Sequence, residues 1–245
     1  MTLDFKAPKD CLKDKVILIT GAGSGIGRTA AITYAKYGAT VILLGRTTEK
    51  LEQVYDEIEA LGAPQPAIIP MNLLHLSEEQ ALQISEKIEQ EFGRLDGLVN
   101  NASILGTLTS IEQHSYETWE QVMQVNVNST FLLTKHLLPV LRQAPKSSII
   151  FTSSGVGNQG RAYWGVYSVS KFATEGLAQV LADELEGTNT RVNIVNPGAT
   201  RTAMRAKAFP GENPNDLKTS DALMPLYVYL MSDASEAEHN QRFNG

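Results

Sequence analysis

Residues 16–27 read VILITGAGSGIG, an apolar run of strand length followed by a glycine-rich turn and the start of a helix. A continuous apolar run is typical of a strand that is buried on both faces of a parallel sheet. In the turn, Gly21 permits the tight bend, Gly25 lets the backbone approach a pyrophosphate, and Gly27 lets helix and strand pack closely. The helix predicted at 28–37 offers free N–H groups and the positive end of its dipole to an anion. This arrangement of strand, turn and helix predicts a nucleotide-binding site.

Short apolar runs alternate with amphipathic segments along the rest of the chain. Further strands are predicted at 40–44, 67–70, 97–100, 148–151 and 191–195, and further helices at 48–61, 77–92, 116–141 and 166–185. This alternation predicts a Rossmann-type α/β fold, in which a doubly wound parallel sheet lies between two layers of helices. Nothing in the composition divides the chain, so we expect residues 1–245 to form a single domain of three layers. Within it we expect a substrate lid at 203–220 and an atypical tail at 234–245, in which no seventh strand is recognisable.

The composition argues against several classes of function. A net charge of −6 and the lack of any block of Lys or Arg argue against nucleic-acid binding. Cys11 is the only cysteine, so no internal disulfide can form, which fits a reducing compartment. The charged N-terminus does not resemble a signal peptide, and no apolar run approaches about 18 residues. We therefore expect a cytoplasmic protein without a membrane segment. The four histidines are scattered along the chain and do not show the spacing of metal ligands, so no metal site is predicted.

The end of the second predicted strand indicates which dinucleotide the protein prefers. A site for NAD is expected to place an acidic residue here to hold the ribose hydroxyls, but this chain has Gly45 followed by Arg46. The guanidinium of Arg46 suits a 2′-phosphate, and such a charge-assisted bond contributes about 1.5–3 kcal/mol. The alternative is a solvated arginine ahead of a helix that Thr47 caps. We predict that NADP(H) is preferred over NAD(H).

Tyr167, Lys171 and Ser154 form the candidate catalytic group. Tyr167 and Lys171 are four residues apart at the start of a predicted helix, so their side chains share one face. Ser154 lies upstream, where the strand predicted at 148–151 gives way to a loop. The ammonium is expected to lower the pKa of the phenol, and the hydroxyl can hold an oxygen that develops charge. A Tyr and a Lys at this spacing also occur together by chance, so the pair alone does not establish catalysis.

Two further polar segments are candidates for the site. Residues 101–103, Asn-Ala-Ser, directly follow the strand at 97–100, and small residues there suit a backbone that lies close to a ligand. Asn126 and Asn128 lie inside the helix predicted at 116–141, where asparagine is unfavourable. We expect at least one of them to form a specific bond. Spacing alone favours an amide that bonds the backbone in the core.

Together these motifs resemble the short-chain dehydrogenase/reductase family, over almost the whole chain from about Lys13 to Asp233. Six motifs occur in the order of the family: Thr20-Gly21-x-x-x-Gly25-x-Gly27, Asn100-Asn101-Ala102, Asn126, Ser154, Tyr167-x-x-x-Lys171 and Pro197-Gly198-x-x-x-Thr202. Ser154 precedes Tyr167 by 13 residues, which is the usual spacing of the family. Residues 123–129 and 161–175 most resemble the YciK-type branch of bacterial oxidoreductases.

The resemblance implies a role for each catalytic candidate. Tyr167 would be the general acid in reduction and the base in oxidation, and Ser154 would orient the substrate carbonyl. Lys171 would lower the pKa of Tyr167 and hold the hydroxyls of the nicotinamide ribose. Asn126 would hold a water that connects Lys171 to solvent. Proton transfer by a positioned side chain typically contributes about 10²–10⁴-fold to the rate.

The resemblance also implies which residues bind the dinucleotide. They come from the glycine-rich turn, the ends of four later strands and the catalytic pair: Gly21, Ser24, Gly25, Ile26, Gly27, Arg46, Asn72, Leu73, Asn101, Ala102, Tyr167, Lys171, Pro197, Gly198, Thr200 and Thr202. Two positions depart from the family pattern. Asn72 stands where the family usually has an aspartate that accepts from the adenine amine, and Ser103 replaces a glycine and slightly crowds the backbone.

The tail at 234–245 bears on assembly, because in the family this region often builds one of two dimer interfaces. Here it lacks the usual glycine-rich ending. We therefore expect a homodimer that pairs through the helices carrying Asn126 and Tyr167, rather than a tetramer.

The predicted function is that of an NADP(H)-dependent oxidoreductase that interconverts a carbonyl and an alcohol in a small molecule. The alternative is a sensor or scaffold protein that binds NADP(H) without turnover. A sensor needs none of the four proton-relay residues, and all four are present. Arg201 and Arg205 are either solvated or available to an anionic group of the substrate. The substrate site is expected to be walled by residues 203–218, including Met204, and by Leu105, Gln159, Tyr163 and Trp164.

Overall fold

Seven parallel strands form the middle layer of the protein, whose structure is a computed structural model that describes residues 5–245. The strands are β1 (Val16–Thr20), β2 (Thr40–Gly45), β3 (Ala67–Pro70), β4 (Gly97–Asn100), β5 (Ser147–Thr152), β6 (Thr190–Asn196) and β7 (Gln241–Asn244). Their spatial order is β3-β2-β1-β4-β5-β6-β7, and every neighbouring pair is parallel. The Rossmann-type sheet predicted from the sequence is confirmed. Successive strands are added on one side of β1 as far as β3 and on its other side from β4 onward. This switch leaves a crevice between the carboxyl ends of β1 and β4.

Helices cover both faces of the sheet. They are α1 (Gly25–Lys36), α2 (Thr48–Ala60), α3 (Glu78–Phe92), α4 (Tyr116–Met123), α5 (Ser129–Arg142), α6 (Gly165–Glu184), α7 (Ala203–Ala208) and α8 (Met224–Met231). Side chains alternate along each strand, so β1 sends Ile17 and Ile19 into one core and Leu18 into the other. Both cores are built from apolar side chains, which explains the continuous hydrophobic runs of the central strands. Within residues 5–245, no helix has the length and apolar character needed to cross a membrane.

The long helix predicted at 116–141 is helical throughout, but it contains one irregular turn. Residues Gln124–Asn128 form a π turn between α4 and α5, and Asn126 lies at its centre. Such turns cost backbone regularity and often occur at functional sites. Here the turn redirects the side chain of Asn126 toward the loop after β4.

The tail contains a seventh strand, which was not recognisable in the sequence. Gln241–Asn244 forms β7 and pairs with β6, placing Arg242 opposite Ile194. An edge strand is covered on one side only, so its residues need not form the apolar run that marks the central strands. Polar residues therefore alternate with Phe243, which packs against one of the cores. That mixed pattern hid the strand in the sequence.

Candidate active site

A cavity of about 240 Å³ lies at the carboxyl edge of the sheet, where β1, β4 and β5 end. In open α/β sheets this edge is where ligands bind. Thirteen of the predicted site residues line the cavity: Gly21, Ser24, Gly25, Ile26, Asn101, Ala102, Ser154, Tyr167, Lys171, Pro197, Gly198, Thr200 and Thr202. The fold therefore brings most of the predicted site to one place.

The glycine-rich turn after β1 is packed too tightly for side chains. Gly21 has a φ of +70°, which glycine adopts without strain. A Cβ on Gly27 would collide with the Gly21 carbonyl oxygen and come within 2.6 Å of the Asn101 Nδ2. The Thr20 hydroxyl accepts the N–H groups of Asn101 and Ala102 at 2.9 and 3.0 Å. These contacts lock the turn to the loop after β4 and keep the space beside it open.

The donor groups at this turn fit the phosphates of a dinucleotide. Ser24, Gly25 and Ile26 line the cavity at the N-terminus of α1, where the first N–H groups of a helix lack intrahelical partners. The Ser24 side chain makes no capping bond to them within the described residues. Free N–H groups and the helix dipole attract an anion at this position.

Tyr167 lies in the first turn of α6, with its side chain at the cavity wall. Only 6% of the residue is exposed, and this burial raises the pKa of Tyr167 to about 12. Hydrogen bonds from the hydroxyls of Ser154 and Ser103 act in the opposite direction and partly offset the burial. The sequence predicted a phenol pKa lowered by the neighbouring ammonium. The structure corrects the direction, since burial outweighs the lowering influence of the neighbouring groups on the pKa of Tyr167.

Lys171 lies one helical turn after Tyr167 and is almost completely buried, with 3% exposure. Its ammonium donates to the Thr152 carbonyl at 2.8 Å and lies 5.7 Å from the centre of the Tyr167 ring. Burial lowers the pKa of Lys171 to about 8, while the carboxylate of Glu175 acts to raise it. The ammonium therefore stays mostly protonated at neutral pH and loses its proton in the mildly alkaline range.

The hydroxyl of Ser103 has a place in the site that the sequence did not reveal. Residues 101–103 were a candidate segment because of their backbone, and the Ser103 side chain was expected only to crowd it, where the family usually has glycine. In the structure it lines the cavity together with Ser154, and both hydroxyls face the phenol of Tyr167. The sequence did contain an indication of this role, since a serine replaces the usual glycine in a loop that borders the site.

Asn126 does not line the cavity, and its amide bonds the backbone instead. Its Oδ1 accepts the N–H of Ile104 at 2.8 Å, and its Nδ2 donates to the Ile104 carbonyl at 2.9 Å. The same Nδ2 donates to the Ser170 hydroxyl on α6 at 3.0 Å. Asn126 thus fastens the loop that carries Ser103 to the helix that carries Tyr167.

Four other predicted cofactor residues also lie outside the cavity wall. Gly27 packs against the backbone of the glycine-rich turn at Gly21. Leu73 is buried in the core. The Oδ1 of Asn72 accepts the N–H of Leu74 at 3.2 Å. Arg46 is exposed after β2, and no side chain among residues 5–245 pairs with its guanidinium. Lys50 lies in the first turn of α2 with its Cβ next to Gly23 of the glycine-rich turn. It was not among the cofactor residues predicted from the sequence.

The expected substrate walls are partly correct. Leu105, Trp164 and Met204 line the cavity, whereas Gln159 and Tyr163 are exposed and lie outside its wall. Arg205, which was considered for an anionic group of the substrate, also lines the cavity. Four further wall residues were not predicted individually: Thr152, Ser153, Ala203 and Ala208.

The two arginines at and near the start of the segment predicted as a lid are bonded to groups of that segment. Arg205 binds both carboxylate oxygens of Glu212 at 2.6 Å and lies 3.8 Å over the Phe209 ring. Arg201 donates to the Pro214 carbonyl at 2.6 Å. Phe209 in turn packs on Trp164, with ring centres 5.8 Å apart. Both guanidinium groups therefore already have partners within residues 201–214, and the cavity offers apolar walls with a polar floor.

Comparisons with known proteins agree with this geometry. A family model described as short chain dehydrogenase matches residues 15–213. The uncharacterized oxidoreductase YciK of Escherichia coli strain K12 is 50% identical over 242 residues, covering 99% of this chain and 96% of that protein. The resemblance to the YciK-type branch is confirmed.

Two solved structures superpose closely. A short chain dehydrogenase from Shigella flexneri 2a strain 301, complexed with NADP, has a TM-score of 0.95 and 51% identity over 97% of this chain and 99% of that one. Another from Escherichia coli CFT073, complexed with NADPH, has a TM-score of 0.94 and 52% identity over the same shares. The fold, the arrangement of the cavity and these matches together place the protein among oxidoreductases, and the chain belongs to the short-chain dehydrogenase family.

Proposed function

We propose that the protein is an NADP(H)-dependent oxidoreductase that interconverts a carbonyl and an alcohol in a small molecule. The observation that carries this proposal is the buried pairing of the Tyr167 phenol with the Lys171 ammonium beside Ser154, at the floor of one cavity. A proton donor, a cation and a hydroxyl are the groups that carbonyl reduction requires from a protein.

Residues of the glycine-rich turn, of the loop after β4 and of the loop after β6 would hold the cofactor. The steric restriction at Gly27 and the free N–H groups at the start of α1 support this assignment. Bound NADPH supplies the hydride, and the protein supplies orientation and proton transfer. Pro197, Gly198, Thr200 and Thr202 line the same cavity and would lie beside the nicotinamide.

The proton chemistry is assigned to Tyr167. With a pKa raised to about 12, the phenol keeps its proton throughout the neutral range, as a general acid for reduction must. The Ser154 and Ser103 hydroxyls would orient the carbonyl oxygen toward it. The charge of Lys171 would stabilise negative charge on the phenol oxygen after transfer. Asn126 would contribute by holding the loop after β4 in place.

The cavity favours an uncharged, mainly apolar substrate. Leu105, Trp164 and Met204 supply apolar wall, and Arg205 is already neutralised by Glu212. An anionic group entering the cavity would compete with that ion pair. We therefore propose aliphatic and aromatic aldehydes and ketones without a carboxylate as the substrate class.

A panel of carbonyl compounds tests the proposal. The purified protein is mixed with NADPH and either neutral or carboxylate-bearing aldehydes and ketones, and oxidation of NADPH is followed by its absorbance. We expect turnover with neutral members of the panel. Tight NADPH binding without turnover of any member would favour the sensor or scaffold instead.

Replacing Arg46 by alanine should reduce the preference for NADPH. The predicted preference for NADP(H) agrees with the cofactors of the two solved relatives, and the exposed guanidinium after β2 would meet the 2′-phosphate. Loss of a charge-assisted bond should raise the KM for NADPH by roughly ten- to a hundredfold and leave that for NADH unchanged. Arg142→Ala removes an equally exposed arginine at the end of α5 and serves as the control. An unchanged NADPH/NADH ratio in Arg46→Ala would contradict the role.

The homodimer is proposed through α5 and α6, which expose large apolar side chains. Phe131 on α5 and Val169, Phe172 and Val180 on α6 are 39–58% exposed, and the three on α6 share one face of the helix. Large apolar side chains exposed on one face of a helix are typical of an interaction site. The helices concerned are those that follow Asn126 and carry Tyr167.

Replacing Phe172 by aspartate should dissociate this dimer, because it would place an unpaired charge in the interface. Sedimentation velocity should then give the monomer mass at a concentration where the wild type is dimeric. Leu82→Asp is the matched control, since Leu82 on α3 is also 44% exposed. A monomeric wild type, or an unchanged mass in Phe172→Asp, would argue against the interface.

A further inference from the structure

A buried carboxylate lies beside the active site without a role in the chemistry described so far. Glu175 is on α6, one turn after Lys171, and only 4% of it is exposed. Its Oε1 accepts the Ser153 hydroxyl at 2.5 Å. Both its oxygens accept the Nε of Arg242 at 3.1 Å. A carboxylate is rarely buried this deeply unless it is paired, and removing one partner of such a pair is costly.

Arg242 reaches the same place from the other end of the chain. It lies on β7, the strand that the sequence did not reveal. Besides contacting Glu175, its guanidinium donates to the Ser154 carbonyl at 3.2 Å and to the Asn244 side chain at 3.0 Å. One planar fork therefore contacts both the buried carboxylate and the backbone of the serine that faces Tyr167.

Three charged side chains hold three consecutive residues, the last of β5 and the first two of the loop after it. Lys171 binds the Thr152 carbonyl, Glu175 binds the Ser153 hydroxyl, and Arg242 binds the Ser154 carbonyl. The loop then folds back over the carboxylate, and a Cβ on Gly157 would lie 2.8 Å from the Glu175 Oε1. Because the loop packs this closely against Glu175, the position of Ser154 and the Glu175–Arg242 ion pair depend on each other.

We propose that Glu175 and Arg242 are positioning residues of the active site, which fix the loop of Ser154 and set the charge balance around Lys171. The edge strand β7 would then help to position the active-site loop, through Arg242, as well as extending the sheet. The catalytic part of this inference rests on the proposed function. Its structural part concerns the ionisation of Lys171 and needs no substrate.

The groups that face the Lys171 ammonium are few. From its own helix come the Tyr167 phenol and the Glu175 carboxylate, and from β7 comes Arg242 behind that carboxylate. β5 and its loop present only the uncharged Thr152 carbonyl and Ser153 hydroxyl. The π turn contains no charged side chain, and its buried amide, Asn126, bonds Ile104 and Ser170. Changes at Glu175 and Arg242 should therefore act on Lys171 with opposite signs.

The test is a direct NMR titration of Lys171 in protein labelled with ¹³C-lysine, with Lys171→Met used to assign the signal. The wild-type midpoint is expected at about 8. Glu175→Gln removes the negative neighbour and leaves a positive one, so the midpoint should fall by about one unit. Arg242→Gln leaves the carboxylate without its partner, so the midpoint should rise. A general loosening of the fold would hydrate the ammonium and raise both midpoints.

Arg242→Lys separates the charge from the geometry. It keeps the positive charge, so the midpoint of Lys171 should stay near that of the wild type. It cannot bind both carboxylate oxygens and the Ser154 carbonyl together, so kcat should fall about tenfold or more with little change in the KM for NADPH. This variant also provides a folded alternative if Arg242→Gln is unstable.

Arg94→Gln is the matched control, because Arg94 pairs with Asp96, another carboxylate that is only 4% exposed, far from the site. It should lower thermal stability without moving the Lys171 midpoint. Midpoints that shift in the same direction in Glu175→Gln and Arg242→Gln, or in neither, would overturn the proposal. The titration needs no carbonyl substrate, so a protein that reduces none would refute the proposed function while the titration still decides the role of the pair.

Discussion

Tyr167→Phe should lower kcat for carbonyl reduction by about 10²–10⁴-fold, the contribution expected of a positioned general acid. The phenol is the buried hydroxyl that both Ser154 and Ser103 face, and its pKa of about 12 keeps it protonated in the neutral range. Phenylalanine retains the ring, so the contact with Trp164 at 5.8 Å between ring centres is preserved. NADPH affinity should therefore stay near that of the wild type.

Two measurements make this prediction sharp. Single-turnover rates with a substrate from the panel report the chemical step, and fluorescence titration reports NADPH binding. Tyr116→Phe removes the hydroxyl of a tyrosine that is 73% exposed on α4, and it should leave both quantities unchanged. Full activity in Tyr167→Phe would remove the proposed acid and, with it, the mechanism.

The sequence predicted correctly those features that depend on residues close to one another in the chain. The apolar run of β1 is buried on both faces, so a continuous stretch of apolar residues was enough to predict the strand. The capping box of α3, in which Ser77 and Gln80 bond each other's backbone N–H groups, marks the start of that helix in the sequence. Tyr167 and Lys171 share a face because four residues span about one helical turn.

What the sequence could not give depends on contacts between distant residues. Arg242 lies 67 residues from Glu175 and 88 from Ser154, and nothing local indicates either bond. The pKa of Tyr167 was predicted in the wrong direction, because spacing places the ammonium nearby but says nothing about burial. The bond between Asn126 and Ile104 exists because a π turn redirects the amide, and no helical pattern specifies that turn.

The burial of Lys171 has a cost that replacement by methionine should reveal. A pKa lowered from 10.5 to about 8 corresponds to about 3 kcal/mol of disfavoured charge at neutral pH. Lys171→Met keeps an apolar stem of similar volume and removes that charge, although it also gives up the bond to the Thr152 carbonyl. We therefore expect unfolding free energy at pH 7 to be unchanged or higher. Turnover should fall at least 10²-fold, because the neighbouring charge that stabilises the phenolate is lost.

The pH dependence of that difference carries a definite sign. The unfolded lysine binds its proton up to about pH 10.5, whereas the folded one releases it near pH 8, so the unfolded state holds more protons between these values. The stability of the wild type relative to Lys171→Met should therefore rise as the pH increases from about 8 to 10.5. Urea unfolding at several pH values measures it, and Lys87→Met, which removes an exposed lysine on α3, should show no such rise. A flat difference would mean that the ammonium is solvated, and a solvated ammonium beside Tyr167 could not exert the charge effect that the mechanism assigns to it.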